Sequence, residues 1–382
     1  MELVSYLHDL TLNTRRTKAW AMAALAGGLA FSWAAGSSAR AAGEAAKAEG
    51  LKLEASLTNK DLTGYGINPL FIVAVRLADG AERVVIAEHR PGHDSALHVL
   101  KTNGAYGFQF AVASPQLVDF TVDAAGSSAF LVGSLGTRFY SADLGARTAK
   151  LLMSSLPDKP GFRALPPVSI VRSSQGPLVY GLFYDSKDVS RETGFGRVWD
   201  NGTATNLMPT AAWDKSFGQV LSYAPQSLLR SALLVTQDAG KWTNPSKPKP
   251  KHLRVAQVSG DSQEIDVADD VFGAAWSPDD ESFVYVRRTG SKQELVMHSR
   301  SGNKVLAAGR YFAPAFLNGG KTLLVSTKES KGNKVWTLSL PDGAPKSGDL
   351  PAGPCVYVTD PGGRAVAAWG PWGLRVFTVS AG

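Results

Sequence analysis

The residues able to do chemistry gather most densely at His89, His93, Asp94 and His98, with Glu88 beside them. Imidazole nitrogens and carboxylates bind zinc and similar ions, so a metal is the first thing such a cluster could hold. The spacing matches no familiar ligand motif, and Arg90 and Pro91 interrupt it. A polar surface where a strand passes into a loop accounts for it as well, so the expectation is no metal and no cofactor. There is no Gly-x-Ser-x-Gly elbow, no His-Glu-x-x-His and no phosphate-binding loop. Cys355, the only cysteine, follows Pro354 at an expected strand start and reads as a small buried residue. A lone cysteine also rules out an intrachain disulfide. Asp269-Asp270 and Asp279-Asp280 read as turn formers. No catalytic residue is assigned.

Binding offers a second kind of chemistry. The segment Lys241-Trp242-Thr243-Asn244-Pro245-Ser246-Lys247-Pro248-Lys249-Pro250-Lys251-His252 alternates lysine with proline. That pattern favours an extended, solvated loop. Lys241, Lys247, Lys249, Lys251 and His252 would form a basic arm for an acidic partner or anionic lipid headgroups, with Trp242 as an apolar anchor. A merely solvated loop is the other reading. Trp369, Pro371 and Trp372 lie between two expected strands and are assigned to core or rim packing.

These groups need a scaffold, and the chain from 51 onward supplies one. It shows no long amphipathic helix. Short apolar runs are bounded by Gly, Pro, Asp, Asn and Ser, which is the strand-and-turn pattern. One unit recurs: a tight polar turn, then a strongly apolar strand. Clear copies are Ser277-Pro278-Asp279-Asp280 before Phe283-Val284-Tyr285-Val286, and Asn318-Gly319-Gly320 before Leu323-Leu324-Val325. Others are Asp360-Pro361-Gly362-Gly363 before Ala365-Val366-Ala367-Ala368, and Asp123-Ala124-Ala125-Gly126 before Ala129-Phe130-Leu131-Val132. With weaker copies, the turns fall at positions 80, 126, 176, 227, 280, 320 and 363. A period of about 40–50 residues with several strands per unit is the mark of a β-propeller. The expected fold is therefore all-β, with about seven four-stranded blades over 51–382. After the turn at 363 the chain has room for about three strands. Leu51–Leu57, with Leu51, Leu53, Ala55 and Leu57 alternating with polar residues, is the expected fourth, closing the ring and covering open edges.

Of the 382 residues, 44% are apolar, enough for a large core. The net charge is +7. Removing the first 41 residues, with four Lys/Arg and two Asp/Glu, leaves +5. That mild excess favours acidic partners or anionic surfaces. No basic helix or aromatic-basic motif points to nucleic acid. Residues 19–35 are uniformly apolar or small, with Arg15, Arg16 and Lys18 before them and Ala39-Arg40-Ala41 after. That order is that of a signal peptide. The long stretch ahead of it keeps an uncleaved membrane anchor open. Residues 1–41 are thus read as signal or anchor and 42–50 as linker, with the rest periplasmic or otherwise outside the cytoplasm.

The run Phe272-Gly273-Ala274-Ala275-Trp276-Ser277-Pro278-Asp279-Asp280, with the strand ending Val296-Met297-His298, resembles the repeats of TolB-like and WD40-like bacterial propellers. The likeness is clearest over 270–330. In that family a glycine stands where Asp280 stands here. The resemblance implies a propeller outside the cytoplasm and protein–protein contacts in the envelope. The functional expectation is a non-catalytic scaffold for other envelope or membrane proteins. The alternative is an enzyme, or a small-ligand or metal binder, using the central channel.

Overall fold

In the computed structural model the described residues run from Leu51 to Val379, without parts of many connections; over 153–220 only the course of the strands is described. Residues 1–50, including the apolar run and the paired arginines, lie outside them, as do Cys355, Lys241 and Trp242. No helix among the described residues is long and apolar enough to cross a membrane.

The chain forms seven antiparallel sheets, and every pairing is between antiparallel strands. In order they span 72–112, 117–153, 161–206, 219–268, 270–308 and 311–348, and the seventh joins 356–379 to Leu51–Leu57. The architecture is a seven-bladed β-propeller. Six blades have four strands. The third has five, because its first strand is split into Gly161–Ala164 and Ile170–Ser173, both paired to Gly176–Tyr184. Between the pieces the sequence carries Pro166-Pro167, which has no N–H to donate to a ladder.

The second strand of each blade shows why the units must stack. Its residues are apolar without alternation, and successive side chains serve different neighbours. In the first blade Val85 and Ala87 pack with the second blade, whereas Val84 and Ile86 pack with the seventh. In the fifth, Phe283 and Tyr285 face the fourth blade while Val284 and Val286 face the sixth. A strand sends alternate side chains to opposite faces, so a run with no polar member needs cover on both. Each fully buried Val, Leu or Phe contributes roughly 1.5–3 kcal/mol.

The recurring turns lie between the first and second strands. Three are the same six-residue structure, at 123–128, 277–282 and 360–365. The first residue (Asp123, Ser277 or Asp360) accepts at its carbonyl from the N–H of the fourth, at 3.0, 2.9 and 2.9 Å. Its side chain takes the N–H of the sixth, Ser128 at 3.0 Å, Ser282 at 3.1 Å and Ala365 at 2.7 Å. The fourth residue is left-handed: Gly126 at φ 64°, Asp280 at 59° and Gly363 at 64°. Aspartate is among the few residues that accept this conformation, so Asp280 keeps the turn where the resembled pattern has glycine.

Neighbouring turns interlock. Arg83 Nη1 donates to the Gly126 carbonyl at 2.8 Å, Trp276 Nε1 to that of Ala224 at 2.9 Å, and Asn318 N–H to that of Gly363 at 2.7 Å. These turns therefore share one end of the ring, the turn end. A side chain at Gly126 would bring Cβ to 2.7 Å from that of Ala78. Gly126→Val should cost about 2 kcal/mol or more, from the clash and the positive φ together, read as a lower urea midpoint.

Ring closure follows the expectation. Leu51–Leu57 pairs with Gly373–Val379, from Leu51 opposite Val379 to Leu57 opposite Leu374. The strict alternation does not hold, because a bulge shifts the register between Leu53 and Ala55. Leu53 is left 42% exposed and Ala55 is buried. A short helix, Asn59–Gly64, follows. It is nucleated by a capping box in which Thr58 accepts from the Asp61 N–H and Asp61 accepts from the Thr58 N–H.

Candidate functional site

With antiparallel blades, the second-to-third-strand connections and the blade-to-blade crossovers fall opposite the turn end. The two ends differ. No turn-end connection between described strands exceeds six residues, whereas the loop-end connections 58–71, 207–218 and 238–250 run to twelve or more. The loop end carries the described residues singled out above for binding or metal ligation, together with the side chains beneath them.

The histidine cluster does not converge. Glu88 and His98 are buried in the first blade, with Glu88 Oε2 2.7 Å from His98 Nε2. His98 sits opposite Ile86, two residues before Glu88, so pleating puts both on one face of the sheet. His93 and Asp94 are exposed outside it. His89 lies at the strand end, where its N–H donates to the Phe71 carbonyl at 2.9 Å. No three His, Cys, Asp or Glu among the described residues are placed to hold a metal. The four candidates His89, His93, Asp94 and His98 are not brought together: alternation sends His98 inward, and the loop carries His93 and Asp94 out.

Glu88 instead holds up the crossover. Its Oε1 accepts the Asn68 N–H at 3.1 Å. The Asn68 side chain then caps a one-turn 3-10 helix, Pro69–Phe71, accepting the Leu70 N–H at 3.1 Å. Leu62 and Ile67 anchor its base in the core between the first and seventh blades. On this clamped base Leu70 is 68% exposed and Phe71 37%. The sequence reading missed this tip. Its signal was Asn68-Pro69, an Asx cap followed by proline at the first helical position.

The Lys/Pro segment is corrected in part. Lys251 and His252 belong to the strand Lys251–Gln257 rather than to a loop arm. Lys251 is paired with Asp270 across the blade junction, and His252 Nδ1 lies 2.8 Å from Glu264. Once the chain enters the ladder its side chains meet carboxylates on adjoining strands. Lys247 is exposed and Lys249 partly so.

Beneath them the junction of the fourth and fifth blades is polar. The Tyr285 hydroxyl donates to Asp266 at 2.6 Å, and Arg287 reaches Asp266 at 2.8 Å and Glu294 at 2.9 Å. Burial, reinforced by the bond to Asp266, holds the Tyr285 phenol well above its ordinary range. Asp279 forms part of its turn, and the Ser277 hydroxyl beside it lowers its carboxyl. Asp269 is the corner between two blades and accepts the Gly290 N–H at 2.6 Å; Asp270 opens the next strand. Trp369 packs between the seventh and first blades, Trp372 between the sixth and seventh, and Asn59 binds the Pro371 carbonyl at 2.8 Å, so this group is packing.

The innermost strands line the channel. Their partly exposed residues include Val73, Phe272, Ala274 and Phe312, with Ala313 and Val356 more open. In the fifth and sixth blades Phe272-Gly273-Ala274-Ala275 and Phe312-Ala313-Pro314-Ala315 form matching bulges. A Cβ on Gly273 would lie 2.8 Å from Pro314 Cδ, so the bulges nest.

No family model matches the chain, and no curated protein sequence matches it. Solved structures do. Kuenenia stuttgartiensis hydrazine synthase is similar at TM-score 0.54 and 11% identity, over 81% of this chain and 96% of that one. Oligogalacturonate lyase from Vibrio parahaemolyticus reaches 0.58 at 10% identity, over 81% and 90%. The Cps50 (Swd1) β-propeller domain of Myceliophteria thermophila reaches 0.54 at 9%, over 81% and 97%. At such identities the likeness concerns architecture, and one architecture hosts unrelated activities. The chain is a β-propeller.

Proposed function

We propose that this propeller is a non-catalytic docking scaffold outside the cytoplasm, held there by the export or anchor segment at 19–35, and that its loop end grips other envelope proteins. The observation that carries this is the Leu70–Phe71 tip. Large apolar side chains left in water gain nothing for the monomer, yet a buried Glu88 and a capped turn fix the backbone that bears these two. Rigid, preorganised apolar anchors are what contact hot spots require, because little entropy is lost on binding.

Capture from detergent-solubilised membranes tests this. The Leu70→Ser/Phe71→Ser variant should retain less than about one-tenth of a specific co-purifying protein, a loss of roughly 2 kcal/mol. The blades should stay intact, because both side chains lie outside the core. A monomeric, partnerless wild type, or equal capture by both forms, would sink the scaffold reading.

A further inference from the structure

We infer that Gly107 guards the outer edge of the first blade: the bulge it forms keeps a strand of another molecule from adding to that sheet. This stands apart from the scaffold reading and concerns how the rim of the ring stays free. An open sheet leaves one row of backbone N–H and C=O groups on its outermost strand unpaired within the sheet, a template for a further strand. In the middle of the blades the ladders are regular, and second and third strands pair without a break in six of the seven. The outer ladders differ. The outermost strands Leu51–Leu57, Tyr106–Val112, Thr148–Met153, Ser262–Ala268 and Gly302–Ala308 each hold one extra residue, in turn Glu54, Gly107, Leu152, Ile265 and Leu306. The other two, Ala204–Asn206 and Lys346–Gly348, have three residues each and no bulge. A bulge interrupts the ladder and sharpens the twist, and a three-residue strand offers little to pair with. Wherever an outer strand is long enough to be a template, it is broken.

The first blade depends on its bulge most. Lys52 and Glu54, Lys150, Glu264 and Asp266, and Lys304 put charge on the other four long outer strands, which is a second deterrent. Tyr106–Val112 has no charged residue. Without Gly107 it would read Tyr-Phe-Gln-Phe-Ala-Val, an uncharged run rich in aromatics with no proline or glycine. Such segments pair readily with copies of themselves.

The bulge is firmly built. Val99 pairs with Phe108 and Leu100 with Tyr106, which leaves Gly107 as the extra residue. Val99 packs toward the second blade and Leu100 toward the seventh. Phe108 follows Val99; its ring centre lies 6.4 Å from that of Phe110 and 4.5 Å from the Arg147 guanidinium. Tyr106 follows Leu100 and stacks on Tyr65 at 5.1 Å. The two aromatics hold the bulge from opposite sides. Glycine is needed between them, because a Cβ there would lie 2.7 Å from the Val99 carbonyl oxygen.

The test deletes Gly107. Both flanking pairs fit a regular ladder, because Tyr106 and Phe108 already stand opposite consecutive residues, Leu100 and Val99. The full chain in neutral detergent micelles is followed by sedimentation velocity over a concentration series, with amide exchange of 108–112 read by mass spectrometry. The deletion variant should self-associate about tenfold or more tightly than wild type, with exchange in that stretch slowing as it does so. Adding Gln109→Lys, a charge at an exposed position of the same edge, should return sedimentation to that of wild type. A deletion variant that sediments like wild type would show that the bulge is not a guard. Association that Gln109→Lys leaves in place would show misfolding rather than edge pairing. Wild-type amides in 108–112 that become protected with concentration would show an edge already open. Any of these overturns the inference. None involves Leu70 or Phe71, so the outcome is separable from tip-dependent capture.

Discussion

Gly373→Ala opens the ring. Gly373 starts the strand that receives Leu51–Leu57, at φ 112°, a conformation side chains rarely adopt. A Cβ there would lie 2.0 Å from the Leu57 carbonyl oxygen and 3.0 Å from the Thr58 carbonyl carbon. Both are backbone atoms, so no side chain can swing away. Either the closing strand detaches or the seventh blade distorts. The expected loss is about 3 kcal/mol or more, combining backbone strain with lost pairing. Urea unfolding should show it, and limited proteolysis should cut early near Leu57. Gly290→Ala is the control. That residue also has positive φ, 59°, but a Cβ there would meet nothing within 4 Å, so about 1 kcal/mol is expected. Equal midpoints for the two variants would show that closure does not depend on this approach.

His98→Leu is expected to cost about 3–5 kcal/mol, because it strands the buried Glu88 carboxylate without its imidazole partner. Glu88→Leu/His98→Leu should recover much of that loss, since a well-packed apolar pair of similar volume is often tolerated in a core. The double variant separates stability from presentation. Without Glu88 the Asn68 N–H loses its acceptor, and the Leu70–Phe71 tip loses its clamp. Partner capture should fall even where the thermal midpoint is restored. A double variant that is as unstable as the single one, or that captures the partner like wild type, would contradict this assignment.

The turns were legible in the sequence because turn chemistry is local. An Asp or Ser that accepts its own downstream N–H groups, and a left-handed fourth position, are properties of six consecutive residues. The unbroken apolar strands after them announced burial on both faces for the same reason. Gly126 and Asp280 differ as residues yet share one conformation, so the repeat survives at the level of φ rather than identity. The split first strand of the third blade had a visible signal in Pro166-Pro167, but a register is needed to show that both pieces serve one partner strand.

The candidate site was harder to read. Glu88 and His98 looked like surface ligands because one strand shows only spacing, and pairing decides which face is inside. Lys251 and His252 read as part of a loop because the proline alternation runs up to Pro250, and nothing before it reveals where the ladder begins. Asp270 and Glu264, which neutralise them, lie more than ten residues away. Leu70 and Phe71 were not singled out in the sequence because exposure is a property of the whole surface. By itself, then, the sequence determined the seven-unit all-β design, its turns and the donor of its closing strand, all encoded in short stretches of chain. Tertiary structure alone decided which polar residues are buried and paired and which apolar ones stand in water, because both depend on groups brought together from distant strands.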